Sequence, residues 1–449
     1  MFHKILIANR GEIALRVIRA CREMGIASVI AHSEADRDSL PVREADEHIC
    51  IGPGASGKSY LNIPNIISAA LITRADAIHP GYGFLSENTS FAEICADAHI
   101  TFIGPSAAAM QIMGDKVSAR KAMAELGLPM LPGTHVLRTL TDATEAARRI
   151  GFPLMLKAAA GGGGRGIRLV EQADDFERMF TLAQNEAREA FRDDGIYLER
   201  YLARARHIEI QVLADTFGHG IHLGERNCSC QRRNQKVLEE APSPHLPPEL
   251  RNEMGQKAIN AVVAVGYHNA GTLEFLVDEQ NRYYFMEMNT RLRVEHPVTE
   301  LITSTDLVKE QIRIAAGLPL QIEQDTIEFR GHAIECRITA EDSAADFRPQ
   351  TGVVETYLPP GGPGVRVDSH LYAGYEVPPH YDSLLAKLVV WDVNREAAIA
   401  RMQRALEEFR IEGLTTTIPF HQRLVRHEGF LRGDTYTRFL QEEASSLGI

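Results

Sequence analysis

Two glutamates near residue 280 have the spacing of a facing pair of carboxylates. Glu274 and Glu287 lie in two apolar runs that a short polar segment separates. Such runs, joined by a few turn residues, predict an antiparallel hairpin. A loop over residues 279–282 would pair Asp278 with Tyr283, and counting back from that pair places Glu274 opposite Glu287. The hairpin would therefore bring two carboxylates together.

A divalent cation would stabilise this arrangement. Like charges that face each other across two strands destabilise the pairing unless another group neutralises them. Mg²⁺ binds one or two carboxylates together with phosphate oxygens. Asn289 lies two residues beyond Glu287, on the same face of the strand, and could add an amide oxygen. The alternative is that both glutamates lie on a solvated face of the sheet.

Charged residues continue beyond the second strand. Asn289, Arg291, Arg293 and Glu295 occupy alternate positions. They share one side if the segment is extended, which Pro297 favours for the residue just before it. Cations beside a carboxylate can hold a small oxyanion and remove its proton. The alternative is a ladder of surface ion pairs, which contributes little to stability.

Four more cations are far apart in the sequence but lie in or beside apolar or Gly-rich segments: Lys116, Lys157, Lys236 and Arg337. Lys157 precedes four glycines at 161–164, which separate two short strands. This pattern predicts a flexible hairpin flap. The Lys157 amine could then reach phosphate groups that the flap covers. The alternative for each lysine alone is an exposed loop position.

Two further segments could contribute to a ligand site. His207 opens an alternating strand, where a histidine is more often structural than functional. Glu199, Arg200, Tyr201 and Leu202 end a short strand and follow it. These four residues could hold an adenine by backbone hydrogen bonds and apolar packing.

Residues 52–59 fit the phosphate-binding pattern G-x4-G-K-S and also contain G-x-G-x-x-G. Both patterns require a helix whose N-terminus begins inside the motif and points at phosphate. Pro64 favours an extended conformation for Ile63, so the next helix begins after Asn62, too late to bind phosphate at Gly57. We interpret the segment as a structural loop.

The elements that must position these residues fall into three sections. Residues 1–113 alternate strands with amphipathic helices, which predicts a parallel α/β domain. Residues 114–330 contain the flap, at about 130–200, and the hairpin of the two glutamates. Residues 331–449 read as a mixed α+β section with a final helix near Ala397–Phe409.

Composition narrows the class of protein. The 449 residues include 48 Lys and Arg against 60 Asp and Glu, a formal net charge of −12. This balance argues against nucleic acid or an anionic membrane as the main partner, because both require an extended basic surface. The six cysteines are too scattered for a disulfide framework, and we find neither a signal peptide nor a membrane-spanning run. We expect a cytoplasmic protein of about three domains.

These residues resemble the biotin carboxylases, members of the ATP-grasp superfamily. The matching motifs run through the chain in family order: KILIANRGEIALR (4–16), HPGYGFLSEN (79–88), MGDK (113–116), KAAAGGGGRG (157–166), RHIEIQVLAD (206–215), CSCQRRNQK (228–236), EMNTR (287–291), VEHPVTE (294–300) and HAIECRI (332–338). The resemblance implies a Rossmann-like N-terminal domain, an ATP-grasp domain with a flap, and a C-terminal biotin carboxylase domain.

The implied reaction is the ATP-dependent carboxylation of biotin on a carrier protein. In this family bicarbonate is phosphorylated to carboxyphosphate, which yields CO₂ and phosphate, and phosphate then deprotonates the biotin ureido nitrogen. The implied cofactors are ATP, Mg²⁺ or Mn²⁺, and biotin. The implied partners are a separate biotin carboxyl carrier protein, because no biotinylation motif follows residue 340, carboxyltransferase subunits and a second copy of the chain. We expect acetyl-CoA as the final acceptor, in fatty acid synthesis; the alternatives are another acyl-CoA, pyruvate and urea.

The resemblance also implies residue roles. The positions that match ATP contacts are Lys116, Lys157, Gly163, Gly164, Glu199, Arg200, Tyr201, Leu202, His207, Gln231 and Asn234. Those that match magnesium ligands are Glu274, Glu287 and Asn289. Lys236, Arg291 and the Val294 amide match bicarbonate contacts, Glu295 matches the base that deprotonates bicarbonate, and Arg337 matches the residue that stabilises the biotin enolate. The catalytic set is thus Arg291, Glu295, Lys236 and Arg337.

Arg293 stands where the family usually has Gln, beside bicarbonate. We hypothesise that Arg293 pairs with Glu295 and weakens it as a base by lowering its pKa. The alternative is that Arg293 turns outward. Asn234 and Arg200 replace the more common His and Lys, and we expect both changes to be tolerated because they keep hydrogen-bond donors.

Two other functions stay open. One is a different ATP-grasp ligase, which joins a carboxylate to an amine or thiol through an acylphosphate; the Arg291, Glu295 and Arg337 set argues against it. The other is a binding or regulatory paralogue that holds ATP and a carrier but turns over poorly because of Arg293.

Overall fold

The computed structural model of the chain describes residues 1–160 and 166–449, apart from the side chains of residues 116 and 117. The predicted site residues Gly163 and Gly164 and the side chain of Lys116 therefore lie outside the described residues. Within the described ranges, no helix combines the length and the apolar character that crossing a bilayer would require.

Residues 1–113, all with described backbone, form a parallel sheet with helices on both faces, as the sequence predicts. The strands are β1 (Lys4–Ile7), β2 (Ala27–His32), β3 (Glu47–Cys50), β4 (Ala77–His79) and β5 (Thr101–Phe102). The helices are α1 (Gly11–Glu23), α2 (Leu40–Glu44), α3 (Ile63–Thr73), α4 (Thr89–Asp97) and α5 (Ala107–Gly114). The strand order is β3-β2-β1-β4-β5. Ile5 and Ile7 pack into one core and Leu6 and Ala8 into another, because neighbouring residues of a strand point to opposite faces.

The segment at 52–59 is a loop, as predicted. Helix α3 begins at Ile63, where the Asn62 side chain caps it by accepting the Asn65 amide hydrogen at 3.1 Å. The prediction that Pro64 keeps Ile63 extended was wrong, because a proline in the first turn needs no amide hydrogen there.

A small three-stranded sheet follows in the chain. Its strands are β6 (Leu154–Ala158), β7 (Ile167–Val170) and β8 (Ile196–Arg200), in the order β7-β6-β8. Helices α6 (Lys116–Glu125), α7 (Leu140–Ile150) and α8 (Phe176–Phe191) belong to the same stretch, and α7 and α8 share a core with the strands. The antiparallel pairing of β6 with β7 confirms the predicted hairpin.

A large antiparallel sheet carries most of the predicted site residues. Its central strands are β9 (Arg206–Ala214), β10 (Gly220–Arg232), β11 (Gln235–Ala241), β12 (Asn269–Val277) and β13 (Tyr283–Asn289). Helices α9 (Pro248–Ala264), α10 (His296–Thr303) and α11 (Leu307–Ala315) accompany them. In the described part of the chain the order is β13-β12-β9-β10-β11, and the sheet continues beyond β11 with β14 (His332–Thr339), β21 (Leu384–Asp392) and β19 (Val365–Ser369). Strands from both sides of residue 330 therefore form one sheet.

The C-terminal section contains the remaining strands and helices. Its strands are β14 (His332–Thr339), β15 (Glu341–Asp342), β16 (Arg348–Pro349), β17 (Gly352–Val353), β18 (Thr356–Leu358), β19 (Val365–Ser369), β20 (Glu376–Val377), β21 (Leu384–Asp392) and β22 (Arg410–Glu412). Its helices are α12 (Arg395–Glu408), α13 (Ile418–Leu424), α14 (Glu428–Leu431), α15 (Phe439–Glu442) and α16 (Ala444–Leu447). The prediction that the helix near Ala397–Phe409 is the last one was wrong. The later helices are too short to show a helical period, and their apolar residues complete the C-terminal core.

Candidate active site

The hairpin of β12 and β13 has the predicted facing carboxylates but a different turn. Val277, not Asp278, pairs with Tyr283, because Asp278 closes the turn by accepting backbone amide hydrogens within it. The pairing shifts register just after Glu274, and this shift places Glu274 opposite Glu287. The facing pair is confirmed, although the predicted loop was wrong.

Two adjoining cavities bring the other predicted residues together. The first, of about 760 Å³, lies between the small and the large sheet and is lined by Lys157, Glu199, Arg200, Tyr201, Leu202, His207, Gln231 and Asn234, among others. The second, of about 600 Å³, is lined by Lys236, Arg291, Arg293, Val294, Glu295 and Arg337, among others. Asn234 lines both cavities. The described residues matched to ATP thus gather in the first cavity, and those matched to bicarbonate and biotin in the second.

Asn234 lies at the tip of the hairpin between β10 and β11. Arg232 pairs with Gln235 across a two-residue turn, and Arg233 and Asn234 have φ values of 48° and 63°. A tight hairpin turn of this kind requires positive φ at both residues, and Asn adopts that conformation readily. The local backbone therefore favours the Asn that replaces the family's more common His.

The first cavity places charged and polar groups around its wall. Lys157 forms an ion pair with Glu199, whose other oxygen lies 2.5 Å from Arg120. The backbone amides of Arg200 and Tyr201 donate to carbonyl oxygens of the protein at 2.8 and 3.2 Å. Any contact of Arg200 and Tyr201 with an adenine must therefore use other atoms than these amides.

A buried chain of hydrogen bonds links the first cavity to the carboxylates. Gln231 donates from Nε2 to His207 Nδ1 at 2.8 Å, so the histidine carries its proton on Nε2. This nitrogen lies 3.1 Å from Glu274 and 3.4 Å from Glu209. Burial lowers the pKa of His207, but the Glu274 carboxylate outweighs burial and the pKa is raised. His207 is therefore part of the site.

A buried cluster of charges forms the wall shared with the second cavity. Lys236 Nζ lies 2.8 Å from Glu295 and 3.3 Å from Glu274, and it also bonds Glu209. Arg293 contacts the same carboxylates, Glu274 at 2.8 Å, Glu295 at 3.1 Å and Glu209 at 3.2 Å. No side chain of this cluster is more than 10% exposed. We call these five residues the charge cluster.

The charge cluster holds Glu295 in its ionised form. Burial opposes ionisation, but Lys236, Arg293 and Arg337 outweigh it and keep the pKa of Glu295 well below its usual range. Arg337 reaches the second oxygen of Glu295 at 2.8 Å and donates to Glu239 at 2.7 Å. The predicted pairing of Arg293 with Glu295 is confirmed, and Arg293 does not turn outward.

Arg291 lies apart from the charge cluster. Its guanidinium contacts Glu87 at 2.9 Å, and the chain turns at residues 294–295 before α10 begins at His296. The prediction of an extended row from Asn289 to Glu295 was wrong, because Pro297 sits in the first turn of α10, where it is tolerated. Arg291 still lines the second cavity.

Sequence reasoning missed several charged residues that position the site, including Glu209, Glu239 and Lys387. Lys387 is fully buried in β21 and donates to the Val294 carbonyl at 3.1 Å. It also lies 3.1 Å from Glu12. Two features of the sequence could have indicated such residues. Lys387 is a single lysine within the apolar run LLAKLVVW, and Glu209 lies two residues after His207, on the same face of the strand.

Replacing Lys387 by Met should lower the free energy of unfolding by about 3–5 kcal/mol, because it leaves the buried carboxylate of Glu12 without its cation. Urea unfolding followed by circular dichroism measures the change. Lys58→Met, at an exposed lysine, is the control and should change stability by about 0.5 kcal/mol or less. Equal stability of the two variants would contradict the structural role of Lys387.

The predicted metal ligands provide the chemistry that Mg²⁺ requires. Glu274 and Glu287 supply facing carboxylates, and Asn289 supplies a side-chain amide within 2.9 Å of Glu274. Carboxylate and amide oxygens are ligands that hard cations prefer. The donor set therefore fits Mg²⁺, with Glu274 also neutralised by Lys236 and Arg293.

Three family models together cover most of the chain. "Biotin carboxylase, N-terminal domain" matches residues 1–110, "Carbamoyl-phosphate synthase L chain, ATP binding domain" matches residues 115–323, and "Biotin carboxylase C-terminal domain" matches residues 335–442. The predicted domain limits at 113 and 330, and those of the flap, stay predictions.

Known relatives align with nearly the whole chain. The biotin carboxylase of Nostoc sp. is 59% identical over 442 residues, 98% of this chain and 99% of the relative. Biotin carboxylase 1 of Bacillus subtilis is 55% identical over 443 residues, 98% of each chain. A pyruvate carboxylase subunit of Methanothermobacter thermautotrophicus is 53% identical over 445 residues, 98% of this chain and 90% of the relative.

Solved structures show the same fold. The biotin carboxylase domain dimer of Hydrogenobacter thermophilus 2-oxoglutarate carboxylase, in complex with MgADP, ADP and bicarbonate, has a TM-score of 0.93 and 48% identity and covers 100% of this chain and 99% of that one. A Campylobacter jejuni biotin carboxylase with a β,γ-ATP ligand has a TM-score of 0.94 and 49% identity and covers 98% and 99%. These likenesses confirm the predicted fold class, a parallel α/β domain, an ATP-grasp region and a C-terminal domain. The chain belongs to the biotin carboxylase family of ATP-dependent ligases.

Proposed function

We propose that this chain carboxylates biotin on a separate carrier protein, with ATP and bicarbonate as co-substrates and acetyl-CoA as the final acceptor. One observation carries the proposal: three cations hold the buried Glu295 at the wall of one cavity, directly beside a second cavity of nucleotide size. A carboxylate that stays ionised among fixed cations suits the deprotonation of a small oxyanion.

The residues of the second cavity take the roles that the family resemblance implies. Lys236, Arg291 and the Val294 amide bind bicarbonate, and Glu295 accepts its proton. Lys387 positions the Val294 segment through the carbonyl of that residue. Arg337 stabilises the negative charge that develops on biotin. Fixed cations of this kind act strongly because they need no reorganisation during the reaction.

The first cavity binds ATP through the residues on its wall. Lys157, His207, Gln231, Asn234 and the segment 199–202 line it. Glu274, Glu287 and Asn289 hold Mg²⁺, which neutralises phosphate charge when bound. Asn234 lies where the two cavities meet, so the γ-phosphate and bicarbonate would approach each other near this residue.

The partners follow from the same proposal. We infer that biotin arrives on a biotin carboxyl carrier protein, that carboxyltransferase subunits complete the reaction, and that two copies of the chain pair, as in the Hydrogenobacter thermophilus dimer. The chain is incubated with ATP, ¹⁴C-bicarbonate, acetyl-CoA, and the carrier and carboxyltransferase from the native source. The labelled product should be malonyl-CoA. Labelled oxaloacetate from pyruvate would instead assign pyruvate as the acceptor, in keeping with the Methanothermobacter thermautotrophicus relative.

A steady-state assay of the purified chain tests the reaction itself. With ATP, Mg²⁺ and bicarbonate, free biotin should stimulate phosphate release, and omission of bicarbonate should abolish the stimulation. A ligase for another carboxylate would require an amine or thiol in place of biotin. A binding paralogue would show nucleotide affinity without biotin-stimulated release.

Replacing Arg293 by Gln should raise kcat/KM for bicarbonate about 3–10-fold at saturating Mg²⁺. The change removes one of the cations that lower the pKa of Glu295, so Glu295 becomes a stronger base. Because the ionised form of Glu295 is the active one, the acid limb of the pH–rate profile should move to higher pH. Arg178→Gln, at an exposed arginine of α8, is the control. An unchanged rate and pH profile for Arg293→Gln would contradict the hypothesis that Arg293 weakens Glu295 as a base.

A further inference from the structure

We propose that Arg293 competes with the divalent cation for Glu274, so that this chain binds its metal more weakly than its carboxylates alone would allow. The inference rests on the proposed function in one respect, the assignment of Glu274 as a metal ligand. It differs from the effect of Arg293 on Glu295, because it concerns another carboxylate and another ligand.

The oxygens of Glu274 are already occupied by donors. Oε1 lies 2.8 Å from Arg293, 2.9 Å from Asn289 and 3.3 Å from Lys236. Oε2 lies 3.1 Å from the Nε2 nitrogen of His207. Each carboxylate oxygen offers about two lone-pair positions; hydrogen bonds from Asn289 and Lys236 already fill those of Oε1, and the Arg293 guanidinium forms an ion pair with the same oxygen. A metal ion that binds Oε1 must therefore displace a donor.

The distances set the Arg293 contact with Glu274 apart from the Lys236 contact. The contact with Glu274 is the shortest that Arg293 makes, since Glu295 and Glu209 lie at 3.1 and 3.2 Å. The contact with Glu274 is the longest that Lys236 makes, since Glu295 lies at 2.8 Å and Glu209 is closer still. Arg293 thus makes its closest ion pair with Glu274, whereas Lys236 makes its longest one there.

Arg293 supplies a charge that the family's Gln does not. A guanidinium stays protonated at all relevant pH values and binds carboxylates in a fixed geometry. The structure thereby offsets the repulsion between Glu274 and its facing partner Glu287 before a metal binds. Because the Arg293 guanidinium already lies beside Glu274, a metal ion that binds this carboxylate must replace one positive group by another.

Metal binding can be measured without turnover. The purified full chain is titrated with Mn²⁺ in the presence of ADP and in the absence of bicarbonate and biotin, and free Mn²⁺ is read from its electron paramagnetic resonance signal. Arg293→Gln and Arg293→Met should bind Mn²⁺ about 10-fold more tightly than the native chain, because the metal ion no longer has to replace a cation beside Glu274. Arg293→Lys keeps the charge and should stay within about 3-fold of the native chain.

A double-mutant cycle assigns the effect to Glu274. Glu274→Gln should weaken Mn²⁺ binding, and adding Arg293→Gln to it should give no further gain. The proposal is overturned if Arg293→Gln and Arg293→Met bind Mn²⁺ like the native chain, or if Arg293→Gln gains as much in the Glu274→Gln background. Thermal unfolding shows whether each variant is folded. If Arg293→Gln does not fold, Arg293→Met takes its place in the cycle.

A failure of this proposal can be distinguished from a failure of the proposed function. Biotin-stimulated phosphate release by the native chain at saturating Mg²⁺ tests the function and does not involve Arg293 variants. A chain that lacks this activity but gains Mn²⁺ affinity in Arg293→Gln would refute the function and support the competition. An active chain whose Arg293 variants have unchanged Mn²⁺ affinity would support the function and refute the competition.

Discussion

Replacing Glu295 by Gln should lower kcat for biotin-stimulated ATP turnover by about 10²–10⁴-fold, the usual contribution of a general base. Gln keeps the size of the side chain and its hydrogen-bonding oxygen but cannot accept the bicarbonate proton. Glu295 is 1% exposed and held by Lys236, Arg293 and Arg337. Its position is therefore fixed by the surrounding cations, and the variant should bind ATP normally. Coupled measurement of ADP release and of ATP affinity checks both statements.

Glu335 provides a matched control for this variant. It lies on β14 two residues before Arg337 and is fully buried. Burial raises the pKa of Glu335 well above its usual value, and Gln keeps the size of the side chain without its charge. Glu335→Gln should change kcat by about 3-fold or less. A comparable loss in both variants would mean that Glu295 acts through structure and does not accept the proton.

Replacing Lys236 by Met should lower kcat/KM for bicarbonate by about 10²–10³-fold, as expected for the loss of one fixed charge that stabilises the reacting group. It should also lower the free energy of unfolding by about 3–5 kcal/mol, because the buried carboxylates of Glu209, Glu274 and Glu295 all lose a cation that pairs with them. Steady-state kinetics and urea unfolding at about pH 7.5 measure the two effects.

The loss of stability in Lys236→Met should depend on pH in a defined direction. Without Lys236 the pKa values of the buried carboxylates rise, so the folded state takes up protons as pH falls. The variant should therefore recover part of its stability relative to the native chain at lower pH. Lys58→Met is the control and should follow the native chain at each pH. A pH-independent deficit would show that lost packing, and not charge, causes the destabilisation.

Local patterns in the sequence predicted elements well where the elements depend on local chemistry. The strand and helix of residues 4–23 followed from apolar spacing alone. The conformation of the residue before Pro64 and Pro297 did not, because Ile63 and His296 are already helical. Steric preference disfavours that conformation, but packing of the helix outweighs a preference of this size.

The facing pair of Glu274 and Glu287 shows how a correct result can follow from an incorrect step. The predicted loop was one residue out of register, and an irregularity next to Glu274 offset the error. Such irregularities respond to neighbouring strands and to the groups that a site must position. A single sequence contains no direct record of them.

The contacts of Lys387 and of the charge cluster could not be predicted from the sequence, because they join distant residues. Lys387 and Val294 are 93 positions apart, and Lys236 and Glu295 are 59 apart. Which charged residues meet is decided by strand order, which composition and periodicity do not specify. The resemblance supplied the roles of Lys236, Glu295 and Arg337, but not Glu209, which contacts Lys236 and Arg293.

The continuity of the large sheet across residue 330 has a mechanical consequence. Lys236 lies on β11 and Arg337 on β14, and these strands are hydrogen-bonded neighbours. Among the described strands, the small sheet of β6, β7 and β8 shares none with this large one. We therefore expect hinge motion to occur between the two sheets, with nucleotide exchange driving it. The anion-binding groups would stay assembled through each cycle, so amide hydrogen exchange should be slower in β11 and β14 than in β6 and β7.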